Sequence, residues 1–93
     1  MSLYKERELG HAAEQILSSD VWKEAWSAYR ARILEEIEGA RSNDTDTVMH
    51  LKRLLAAASA AKSHMERLMN EGAVAAKSIE FQEKQSKLKR VFG

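Results

Sequence analysis

Gly39-Ala40-Arg41-Ser42-Asn43-Asp44-Thr45-Asp46 is the strongest break in this chain. It joins a glycine to a run of Ser, Asn, Asp and Thr, whose side chains compete with the helix for backbone hydrogen bonds. Good helix formers dominate on both sides of it, and the spacing of apolar residues there is helical. The break therefore reads as a turn between two long helices. Its shortness predicts that they fold back as an antiparallel hairpin. Asp44, Thr45 or Asp46 is placed to cap the helix that follows.

Upstream of the turn, Trp22, Trp26, Tyr29, Ile33, Ile37 and Ala40 follow one another in steps of four, three, four, four and three. This eleven-residue period keeps the stripe nearly straight along a helix. The expected helix two runs from 20 to 41, with Ser19 or Asp20 as its N-cap and Glu24 near its positive end. Before it, Leu9, Ala12, Ala13, Ile16 and Leu17 mark an N-terminal helix over 1–17. Gly10 lies inside that helix, at a cost of about 1 kcal/mol relative to Ala, and permits a close helix contact.

Downstream, Leu54, Ala58, Ala61, Met65, Leu68 and Gly72 step by four, three, four, three and four, a heptad-like seam. Its centre, Ala56 to Ala61, is built of small residues, against which Trp22, Trp26 and Tyr29 are natural fillers. The third helix is expected over 46–92. Asn70-Glu71-Gly72 is either a C-cap or a point the helix runs through. Continuation or a kink is the favoured reading, because helix formers resume at once. Phe81, Leu88, Val91 and Phe92 are thinly spaced in a polar tail. Lys84, Lys87, Lys89 and Arg90 make that tail basic, with no acidic residue from Lys84 onward.

Composition agrees with an all-α chain: 93 residues hold no Pro, no Cys and four Gly. So small a domain buries a modest fraction of its surface, and no disulfide is available to compensate. Two hairpin helices with broad apolar stripes leave surface uncovered. The N-terminal segment is available to cover part of the exposed side, and a second copy the rest. The net charge of +1 argues neither for nor against nucleic acid. No apolar run reaches the length of a bilayer span, and the opening residues lack the apolar run of a secretion signal. The expectation is one cytoplasmic helical domain.

Chemistry is sparse. His50 and His64 stand about 21 Å apart along one helix, too far to share an ion. Glu8 and His11 have the Glu-x-x-His spacing of di-iron bundles, but it occurs once where those sites need two. Glu35, Glu36 and Glu38 splay to different sides of a helix. The Ser and Thr residues sit at expected helix ends, where capping explains them. No catalytic residue, metal ligand, cofactor or small-molecule substrate is expected. Trp22, Trp26, Tyr29, Ile33, Leu54, Ala58, Met65 and Leu68 are the expected core or protein interface, since Trp and Tyr anchor both. Lys84, Lys87, Lys89 and Arg90 are candidates for phosphate contacts. A helix C-terminus also favours cations through its dipole.

Leu9-Gly10-His11-Ala12-Ala13, Ile16-Leu17-Ser18-Ser19-Asp20, Trp22 and Glu24-Ala25-Trp26 together resemble the start of short helical proteins of tailed bacteriophages and prophages. Glu71-Gly72-Ala73 before a charged helical tail is similar as well. Such proteins are encoded among head-assembly and DNA-packaging genes. The long polar turn and the basic tail depart from that pattern. The resemblance implies a structural role in virion assembly or packaging, with no catalytic residues. The expected partners are a second copy and another protein. Alternatives are nucleic acid held by the tail, or a host enzyme docked by the aromatic face. No membrane partner is expected.

Overall fold

A computed structural model of the chain describes residues 2–92. It is all-helical: α1 spans Leu3–Ser18, α2 Asp20–Gly39 and α3 Thr45–Phe92. Side-chain caps set the starts. Ser2 accepts from the Lys5 N–H at 3.2 Å, and Asp44 Oδ1 accepts from the Thr47 N–H at 3.2 Å. Of the three candidates in the turn, Asp44 is thus the residue that caps α3, with Asp46 in its first turn. Ser19 serves two helices. Its Oγ accepts from the Trp22 N–H at 3.2 Å to start α2 and donates to the Ile16 carbonyl at 2.7 Å to close α1. Its extended backbone, φ −70° and ψ 143°, is what separates the two.

The chain doubles back at the 40–44 turn. Gly39 and Ala40 line a depression with Thr47 and His50, and Tyr29 and Ile33 lie by Leu51 and Leu54. Trp22 and Leu17 lie by Lys62, Glu66 and Met69. Gly10 meets Gly72, and Tyr4 lies by Gln82 and Arg90. α1 and α2 therefore form one interrupted arm running antiparallel along the single rod of α3. The first segment covers part of the side that the hairpin leaves exposed, as expected. α1 lies against the second half of α3, because the cap at Ser19 redirects the chain only slightly and α2 already occupies the first half.

α3 runs unbroken through Gly72. That glycine is a contact, not a cap. A Cβ built on Gly10 would fall 2.6 Å from Gly72 Cα and 2.7 Å from the Leu68 carbonyl oxygen. A Cβ on Gly72 would fall 2.6 Å from Gly10 Cα and 3.0 Å from the Glu6 carbonyl oxygen. Here the backbones of α1 and α3 touch, which only glycine allows. Ala13 and Ala75, each three residues on, extend the close approach, and Ile79 fills the next turn; all three are buried.

The buried hydrophobic side chains beyond this crossing are Ile33 and Leu51, between α2 and α3. The molecule measures 75 × 24 × 14 Å with a radius of gyration of 20.9 Å. A compact domain of this length has a radius near 12 Å.

Candidate functional site

The aromatic end of α2 forms the best-defined surface feature. Trp22 and Trp26, one turn apart, stack with ring centroids 6.1 Å apart and planes inclined by 17°. Lys62 of α3 places its Nζ 5.2 Å from the Trp26 ring centroid and 3.6 Å from Glu66 Oε1. The cation therefore sits between a ring face and a carboxylate. Both indoles are half-buried. With Leu17, Lys62, Glu66 and Met69 they line a shallow depression open to solvent.

The expected partners of these rings were the small residues Ala56 to Ala61. The structure places the rings elsewhere. The Gly10–Gly72 contact pins the arm along α3, so that Trp22 and Trp26 arrive beside Lys62, Glu66 and Met69. Tyr29 falls near Leu51 and Leu54. Ala56, Ala57, Ala60 and Ala61 consequently stand exposed, with Ala58 and Ser59 half-buried. Among the other expected interface residues, Ile33 is buried, Met65 and Leu68 are half-buried, and Leu54 and Tyr29 are 39% and 42% exposed. The heptad seam is thus covered at Met65, Leu68 and Gly72 but open at Leu54 and Ala61.

The basic tail is helical to Phe92. Lys84, expected to face no acidic residue, lies 3.4 Å from Glu80 Oε1, one turn back. Lys87 and Arg90 border a depression with Tyr4, Gln82, Glu83 and Ser86, where α1 begins. Lys89 and Arg90 occupy the last turn, where they complement the helix dipole. Lys87, Lys89 and Arg90 have no acidic partner within 4.0 Å among the described residues. Lys84, Lys87, Leu88, Val91 and Phe92 together make a second apolar face rimmed by cations.

His11, His50 and His64 are all exposed. Among the described residues no group of three or more His, Asp or Glu side chains converges as metal ligands would. Glu8, of the Glu-x-x-His spacing, lies 3.8 Å from Lys5 Nζ in an exposed pair. No described helix is long and apolar enough to cross a membrane.

Two features escaped the sequence reading. Ala75 and Ile79 are core, and the three-four steps leading from Gly72 through Ala75 to Ile79 carried the signal. The apolar residues Val74, Phe81 and Leu88 repeat every seven positions on the outer side of α3. No family model matches the chain, and neither a curated protein nor a solved structure matches it.

Proposed function

We propose that this protein is a non-enzymatic helical hairpin module that acts by homo-oligomerisation and by binding another protein. One observation carries the reading. The chain exposes 7464 Å² of surface, whereas a folded monomer of its 10.5 kDa mass exposes about 5,400 Å². The excess of roughly 2,000 Å² is on the scale of a specific protein interface. Much of it is apolar: Val74, Phe81, Val91 and Phe92 are each more than 60% exposed. Exposed rows of this kind mark association surfaces. The resemblance of the N-terminal residues to short tailed-phage proteins suggests head assembly or DNA packaging as the setting. Light scattering of the purified chain tests the reading. A mass of two or more chains at micromolar concentration supports it, and a stable 10.5 kDa monomer overturns it.

A second reading, phosphate binding by the tail, is favoured by Lys87, Lys89 and Arg90, three cations without an acidic partner among the described residues. Titration with duplex DNA at low and moderate salt separates it from the first. Binding by phosphate contact weakens steeply with salt and is lost when these three residues become Gln. Binding that ignores both salt and the substitutions rejects it.

A further inference from the structure

Seven-residue steps join Met49, Ala56 and Ser63 on α3, and again Val74, Phe81 and Leu88. Eleven residues, three helical turns, separate Ser63 from Val74, so both sets share one face of the rod. That face is turned away from the packed one. Phe81 lies two residues, about 200° around the helix, from buried Ile79. Met49, Val74, Phe81 and Leu88 are 46%, 65%, 62% and 56% exposed, and Ala56 and Ser63 are exposed too. The stripe is large at Val74, Phe81 and Leu88, small at Ser63 and Ala56, and large again at Met49 beside the turn. A partner must present small residues to Val74 and Phe81, and this same helix reversed does so.

We infer that a second copy of the chain pairs antiparallel with the first along this face of α3, an inference that rests on the oligomeric reading above. In the two-fold arrangement that matches large to small in the middle of the stripe, Phe81 meets the partner copy at Ala56 and Val74 at Ser63, while the large ends, Leu88 and Met49, meet each other. Arg67 and Asn70 then face each other on either side of the axis, a polar pair that fixes the register. These are the alternating layers of an antiparallel coiled coil.

Area and charge agree with it. The face from Met49 to Phe92 is about 66 Å long and about 10 Å wide. Pairing two such faces buries roughly 1,300 Å² in total, inside the range of stable specific interfaces. Residues 84–92 carry four basic and no acidic residues, and residues 45–53, opposite them in this register, carry Asp46 against Lys52 and Arg53. The antiparallel pair sets the four cations of each tail against a segment of mixed charge. A parallel pair sets four cations on four. Lys84 comes opposite Arg53, and its contact with Glu80 offsets that one repulsion.

The chain has no cysteine, so introduced thiols report the pairing cleanly. Chains bearing Met49→Cys and chains bearing Leu88→Cys are mixed and mildly oxidised. A disulfide needs Cα atoms within about 7 Å, and residues 49 and 88 of one chain lie about 58 Å apart along α3. The expected result is a covalent dimer containing one of each chain, with neither variant cross-linking alone. Ser63→Cys with Val74→Cys, both exposed positions that leave the core intact, repeats the test should the first pair fold poorly. Cross-linking of Leu88→Cys to itself, or an oligomeric mass with neither mixed pair cross-linking, overturns the antiparallel pairing and leaves the oligomer standing. A monomeric mass for the unmodified chain overturns both.

Discussion

The backbones of Gly10 and Gly72 are in direct contact, each with no room for a Cβ. This crossing sets the register of the whole arm along α3. It decides that Trp26 meets Lys62 and that Ile33 reaches the level of Leu51. A glycine inside a helix costs about 1 kcal/mol against alanine, so two such glycines are a sacrifice of local stability for tertiary contact.

Gly10→Ala and Gly72→Ala are therefore expected to destabilise the fold despite their gain in helix propensity. The new methyl meets backbone atoms, which cannot rotate away, and separating the helices uncovers Ala13, Ala75 and Ile79. A net loss of about 1–3 kcal/mol is expected, as for other overpacked sites. Urea unfolding followed by circular dichroism measures it. Gly39→Ala is the control, because nothing lies within 4 Å of its position. Its effect should be neutral or stabilising.

Ser19 holds the α1–α2 junction through both its acceptor and its donor bond. Ser19→Ala removes both, and Asp44→Ala removes the cap of α3. Each should cost about 1 kcal/mol. The two sites share no partner, so the double variant should lose the sum. In thermal melts each loss corresponds to a fall of about 4–8 °C for a domain of this size.

Trp26→Ala should cost about 2 kcal/mol, less than the 3–5 kcal/mol of a wholly buried tryptophan. Lys62→Met keeps the aliphatic packing while removing the cation over the ring. It should cost about 0.5–1 kcal/mol and shift tryptophan emission. If Lys62→Met leaves both emission and stability unchanged, the ammonium contributes nothing at Trp26.

Helix content and the turn were legible from local chemistry. The polar run after Gly39 and the Ser19 cap act on their own neighbours, and local signals survive any tertiary arrangement. Gly10 was legible as a contact point, but its partner was not. Gly72 fits the heptad seam, a C-cap and a helix crossing equally well in one dimension. Without that pairing nothing sets the register of the arm along α3, and the alanines of 56–61, one to six residues short of Lys62, are the natural counterpart of the aromatic rings. The outer stripe is inconspicuous in the sequence because Phe81 and Leu88 are single residues in a polar tail and Val74 sits within a run of alanines. Only the position of α1 shows that they share an uncovered face.

The proposal that a second copy completes the fold makes a sharp statement about the concentration dependence of thermal unfolding. Association that favours the folded state makes the midpoint depend on concentration. Circular dichroism melts of the unmodified chain over a hundredfold concentration range should show a midpoint that rises steadily with concentration. A cooperative transition whose midpoint stays fixed across that range would rule out completion of the fold by a second copy.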